Sequence, residues 1–207
     1  VNEHVLIPRQ DTEILVEEVL KELHDGMRVL DMCTGSGCIL LSLLHYSNDC
    51  EGLGVDLSAE ALEVAGRNVL KVLTPEKAEH AHFLQSDLFE KVEGKFEIIV
   101  SNPPYIASAE VEKLMPEVRD HEPRMALDGT EDGLHFYRRI IEEAGKHLVS
   151  SGMLFFEIGY DQGQAVSELM RTEGYCEVQV VQDYAGLDRV VFGTYVTVQP
   201  APFAKSR

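Results

Sequence analysis

The 207 residues are 44% hydrophobic and 26% charged, ordinary values for a chain long enough to build one α/β domain around its own core. A net charge of −18 leaves too little lysine and arginine surface to displace counterions from a duplex, but it suits a basic protein partner. No apolar run approaches the ~20 residues needed to cross a bilayer, no signal-peptide pattern is present, and the four cysteines match neither a disulfide framework nor a zinc site; the chain reads as cytoplasmic, reduced, monomeric and without metal.

Apolar strand-like runs alternate with amphipathic helices, which points to a parallel sheet covered on both faces. Asp11 or Thr12 can cap a first helix carrying Ile14, Leu15, Val19 and Leu23 and ending near Gly26. Strands are expected at 27–32 and 52–56, with a helix from Cys38 between them. Ser58 is placed to cap the next helix, which would turn Leu62, Ala65 and Val69 inward. Further strands are expected at 81–85 and 96–100. The stretch 106–130, rich in charge and proline, reads as an irregular flap. A helix over 133–148, a strand over 152–158 and a helix over 162–172 follow. Two strands, 176–182 and 189–196, turn at Gly186 to form an antiparallel hairpin. The layout is a seven-stranded, mostly parallel sheet with an antiparallel last strand. Residues 1–197 form the domain and 198–207 a disordered tail. His80 and His82 alternate on one face of a strand, where solvation or a local bond explains them better than a metal does.

The turn Cys33-Thr34-Gly35-Ser36-Gly37 follows the first strand, and its glycines permit close approach of a ligand to the main chain. A dinucleotide fingerprint would need a third glycine where Leu40 stands, so the ligand is expected to lack phosphate, as S-adenosylmethionine does. Alone, the turn is equally compatible with a structural role. Asp56, at the carboxyl end of the second strand, can accept hydrogen bonds from both ribose hydroxyls, or it can serve as a helix cap. After the third strand, Asp87 can accept the adenine amino group and Leu88 can cover the ring, although a solvated loop carboxylate is an equal reading of Asp87. Convergence of three strand ends strengthens what each shows singly.

The run Ile98-Ile99-Val100-Ser101-Asn102-Pro103-Pro104-Tyr105 leads a buried strand directly into a stiff corner. Two prolines restrict their own backbone and that of the residue before them, which holds Asn102 and the Pro103 carbonyl in place. A planar NH2 group needs two acceptors at fixed angles; Asn102 Oδ1 and the Pro103 carbonyl can supply them while Tyr105 stacks on the flat face. Such a clamp orients a poorly nucleophilic nitrogen at a sulfonium methyl without a strong base. Asn102, Pro103 and Tyr105 are thus the expected catalytic group, and Pro104 joins them in substrate binding.

With Leu6-Ile7-Pro8-Arg9-Gln10-Asp11-Thr12-Glu13, Glu122-Pro123-Arg124-Met125-Ala126-Leu127, Asp132-Gly133-Leu134, Tyr137-Arg138-Arg139-Ile140 and Phe156-Glu157-Ile158-Gly159, the chain resembles the protein glutamine N5-methyltransferases that modify peptide-chain release factors. The resemblance implies a Rossmann-like class I fold. It also implies methyl transfer from S-adenosyl-L-methionine to the glutamine of the release factor's Gly-Gly-Gln loop. Cys33 to Gly37, Asp56, Asp87, Leu88 and Asn102 would hold the cofactor, with Asn102 touching both ligands. Gln10 stands where proline is usual, Cys33 where glycine is usual, and Leu88 where some members carry an aromatic. The family's N-terminal helical domain is not in this sequence. The same corner would also suit a ribosomal-protein glutamine, the exocyclic amine of adenine, or a non-catalytic module that only docks a partner. The charge and length speak against the adenine reading, and the intact corner against the docking module.

Overall fold

A computed structural model describes residues 1–196; the expected tail at 198–207 lies outside the described residues. In chain order the elements are α1 (Thr12–Glu22), β1 (Arg28–Met32), α2 (Cys38–Tyr46), β2 (Glu51–Asp56), α3 (Ala59–Val72), α4 (Pro75–Ala78), β3 (Ala81–Gln85) and β4 (Phe96–Ser101). Then come α5 (Ser108–Val111), α6 (Pro116–Arg119), α7 (Arg124–Leu127), α8 (His135–Ala144), β5 (Leu148–Glu157), α9 (Gly163–Thr172), β6 (Tyr175–Gln182) and β7 (Asp188–Tyr195). The seven strands lie in the order β3-β2-β1-β4-β5-β7-β6. β1 to β5 run parallel, and β7 inserts antiparallel between β5 and β6, the expected class I arrangement.

Alternation along the central strands builds two cores. Val29, Ile98, Val100 and Phe155 meet Leu15, Val19 and Leu40 on one face. Leu30, Met32, Ile99, Leu154 and Phe156 meet Tyr137, Ile140 and Met170 on the other. Each fully buried side chain of this size contributes roughly 1.5–3 kcal/mol. Phe155 and Phe192, paired across β5 and β7, also stack with centroids 4.9 Å apart. Order reverses between β1 and β4, so a crevice opens at the carboxyl ends of these two strands.

Several local expectations need correction. Asp11 makes no side-chain cap; its carboxylate lies 3.3 Å from Arg189 on β7, and Leu23 is already extended beyond the helix end. The inward face of α3 carries Ala61, Val64, Ala65 and Val69, while Leu62 is only half-buried. Ser58 does cap α3, accepting the Ala61 N–H. The stretch 106–130 is irregular only in part. It folds as three single turns, two of which begin at or just after a proline, and it is tied back by Ile106 N–H to Leu127 and Gly129 N–H to Ile106. The helix expected over 133–148 is shorter at both ends. Gly133 is left-handed (φ +73°) ahead of it, and Leu148 already pairs with Phe96 at the start of β5. A register shift and the left-handed Ser151 hid that early strand start.

Candidate active site

The carboxyl ends of β1, β2, β3 and β4 border one cleft, whose open space is about 990 Å³ including its mouth. Its lining includes Cys33, Thr34, Gly35, Ser36, Asp56, Asp87, Leu88, Asn102 and Pro104, so the structure brings most of the expected residues together. Gly37 sits behind the turn instead: it starts α2 with φ +78°, and a Cβ there would lie 3.1 Å from that of Ala65. Pro103 is buried, and neither it nor Tyr105 lines the cleft. Tyr105 packs on the core beneath, and its hydroxyl donates to Glu157 at 3.4 Å.

The glycine turn is held by two acids. Asp56 accepts the Gly35 N–H at 2.8 Å through Oδ2 and the Ser58 N–H at 2.9 Å through Oδ1. Burial raises its carboxyl above the usual range even though these bonds favour the anion. Asp31, which sequence reasoning passed over, lies fully buried under the turn. Its Oδ2 accepts the Thr34 hydroxyl at 2.6 Å and the Leu40 N–H at 3.2 Å, while Oδ1 has no partner. Burial pushes this carboxyl up to about 7. A charged residue inside an apolar run was the signal that could have found it. Above the turn, a Cβ at Gly35 would meet no atom within 4 Å, so its main chain is open to a ligand. Cys33 adopts φ +61°, a left-handed conformation that explains why glycine is usual there, and burial pushes its thiol up, away from the reactive thiolate. Asp87 is paired with Arg139 of α8 at 2.9 Å.

The diproline corner is braced from behind. Gln162 donates to the Tyr105 carbonyl at 2.9 Å. A Cβ on Gly133 would fall 2.3 Å from that same carbonyl oxygen, and one on Gly129 would fall 2.8 Å from the Pro104 carbonyl. Both glycines are therefore required by close approach of backbone to backbone. No other described residue engages the Asn102 side chain or the Pro103 carbonyl in a hydrogen bond. Glu157, nearly inaccessible at 1%, has its carboxyl raised by burial and leaves Oε2 without a partner. The N-terminal segment supplies His4, Val5, Leu6 and Pro8 to the cleft, and the flap supplies Pro123, Met125 and Ala126. These walls carried no functional signal beyond their place in family-like motifs.

His80 and His82 flank Glu51 at 2.9 and 3.4 Å, a local pairing at the sheet edge that lowers the Glu51 carboxyl. Among the described residues, no helix is long and apolar enough to cross a membrane.

Residues 9–118 match the methyltransferase small domain family. The release factor glutamine methyltransferase of Thermodesulfovibrio yellowstonii is 45% identical over 192 residues, which cover 90% of this chain and 67% of that protein. Its counterpart from Clostridium acetobutylicum is 46% identical over 195 residues, covering 92% and 68%. The chain thus spans about two thirds of the length of these relatives. A solved protein-(glutamine-N5) methyltransferase (release factor-specific) from Alicyclobacillus acidocaldarius is 30% identical, with a TM-score of 0.54 over 92% of this chain and 95% of that one. An RNA methyltransferase from Salinibacter ruber in complex with S-adenosyl-L-homocysteine shares the fold at 16% identity, with a TM-score of 0.59 over 96% and 98% of the two chains.

Proposed function

The chain belongs to the release factor glutamine methyltransferase family, and from that premise we propose that it methylates the side-chain nitrogen of the glutamine in a release factor's Gly-Gly-Gln loop. When bound, S-adenosyl-L-methionine supplies an electrophilic methyl carbon on a sulfonium sulfur. The residues present fit it: the turn is open above Gly35, and Asp56 keeps lone pairs beyond the two N–H bonds it accepts. In this reading Asp56 holds the ribose hydroxyls, Asp87 and Leu88 the adenine, and Cys33 to Ser36 the methionine end. Gly37 shapes the turn from behind.

One observation carries the catalytic reading. Asn102 opens onto the cleft beside the glycine turn with its amide free of partners among the described residues, on a corner that Pro103, Pro104, Gly129, Gly133 and Gln162 hold rigid. Asn102 Oδ1 and the Pro103 carbonyl, the latter once substrate binding uncovers the buried Pro103, accept the two N–H bonds of the target amide, which aims its nitrogen and favours localisation of its lone pair as the new bond forms. Tyr105 covers the flat face of the target in this mechanism, which requires its ring to turn from its seat beside Glu157. Its partner is a protein rather than nucleic acid or a lipid surface, in keeping with the net charge of −18. The same reading has the chain acting as a monomer in the cytoplasm.

The test is incubation with labelled S-adenosyl-L-methionine and, separately, release factor, ribosomal protein and DNA, followed by mass mapping. The label should appear on the Gly-Gly-Gln glutamine and drop by roughly 10²–10³-fold in Asn102→Ala, the scale for losing one preorganised transition-state contact. Labelling of DNA or of a ribosomal protein alone would reassign the substrate. Turnover that survived Asn102→Ala would end the amide-clamp mechanism.

A further inference from the structure

The cleft has two outer walls from segments far apart in the sequence. One is the N-terminal strap, whose His4, Val5, Leu6 and Pro8 face the cleft and whose Val5 is anchored among Ala61 and Val64 at the start of α3. The other is the flap, through Pro123, Met125 and Ala126. Between them lies a single ion pair: Arg9 Nη2 donates to Glu122 Oε1 at 2.5 Å, across 113 residues of sequence. Among the described residues no other hydrogen bond or ion pair joins 1–11 to 107–130. Arg9 directly follows the cleft-lining Pro8, and Glu122 directly precedes the cleft-lining Pro123.

The two partners are unequal. The Glu122 side chain is 4% exposed, Arg9 is its sole described side-chain partner, and its Oε2 is buried with no partner at all. Arg9 is 38% exposed and can leave the pair for water. A carboxylate buried this deeply without its cation is costly, so the strap adds to the hold that the backbone bonds at Ile106 and Gly129 already have on the flap. We propose that Arg9 and Glu122 are positioning residues that latch strap to flap across the cleft mouth and so set how long the cofactor stays bound. The proposal rests on the reading of this cleft as the S-adenosyl-L-methionine site. Neither residue touches the reacting atoms in that reading; their effect passes through Pro8 and Pro123.

The test is cofactor binding by the protein alone, using S-adenosyl-L-homocysteine in calorimetry and stopped-flow displacement. Arg9→Gln and Glu122→Gln should each raise Kd about tenfold, the consequence of losing a charge-assisted bond worth roughly 1.4 kcal/mol, and the change should lie mainly in the dissociation rate. The double variant should be no worse than the weaker single, because both remove the same contact. Arg9→Lys, which keeps the charge but not the planar fork, should fall between. Arg9 is on the exposed side of the pair, so Arg9→Gln keeps the test valid even if a Glu122 variant folds poorly, and melting temperatures separate lost affinity from lost fold. A wild-type Kd and dissociation rate in Arg9→Gln, or additive effects in the double variant, would overturn the latch. Failure of the wild-type protein to bind the cofactor would instead sink the cofactor reading, and the latch with it.

Discussion

Asp31 offers a sharp test of the electrostatics beneath the glycine turn. Its carboxyl ionises near 3.8 when exposed, but burial in the fold pushes this up to about 7. Between those values the folded state binds more protons than the unfolded chain, so the unfolding free energy falls as pH rises across the window and levels off above about 7. At about 1.4 kcal/mol per unit, a span of about three units costs about 4 kcal/mol by neutral pH. Asp31→Asn removes this titration. Its amide oxygen can still accept the Thr34 hydroxyl and the Leu40 N–H, leaving an NH2 where Oδ1 now has no partner, an unsatisfied group worth about 1–3 kcal/mol. The variant should therefore be less stable than wild type in acid and at least as stable at alkaline pH. Urea unfolding of both proteins from about pH 5.5 to about pH 8.5 would reveal converging or crossing curves, with the difference shifting by about 2 kcal/mol below pH 7 and little above. Parallel curves would show that this buried acid does not hold its proton, and the argument would fail.

Asp56→Ala should weaken S-adenosyl-L-methionine binding by about 1–3 kcal/mol in calorimetry, the scale for a hydrogen bond to a charged group, and a smaller loss would detach Asp56 from the ribose. Gly133→Ala should destabilise the protein by about 3 kcal/mol or more and depress turnover by displacing the Tyr105 carbonyl, since both the positive φ and the contact forbid a Cβ; an unchanged melting temperature would refute the close approach. At Cys33 the usual order should invert, with the glycine variant unfolding about 1 kcal/mol above the alanine variant because φ is +61°. Equal stabilities would mean that the turn relaxes.

The sheet was legible because its strands are short apolar runs with turns between them, and the helices because their apolar faces repeat at helical spacing. The places of Asp56, Asp87 and Asn102 at the cleft were legible because each stands at, or within two residues of, the carboxyl end of such a strand. The flap misled because its three turns are too short to show a period. Gly129, Gly133 and Gln162 went unread as supports because what they touch, the backbone of the corner, is nearby only in space. Tyr105 was expected against the substrate, but a sequence cannot show that Glu157 waits behind it. Arg9 and Glu122 stood in two separate motifs with nothing to mark them as partners.

Inserting β7 between β5 and β6 has a consequence for how the chain matures. Among the described residues β6 pairs only with β7, so it has no neighbour in the sheet until β7 arrives. The last strand also carries Arg189, which reaches the Asp183 carboxylate at 3.1 Å and the Asp11 carboxylate, just ahead of α1, at 3.3 Å. During synthesis, a chain halted short of residue 188 would hold its glycine turn and diproline corner in an open-edged sheet, with the start of α1 lacking its cation. Order of synthesis and order in the sheet are thus interchanged for β6 and β7, and β7 ties the hairpin to the segment just ahead of α1.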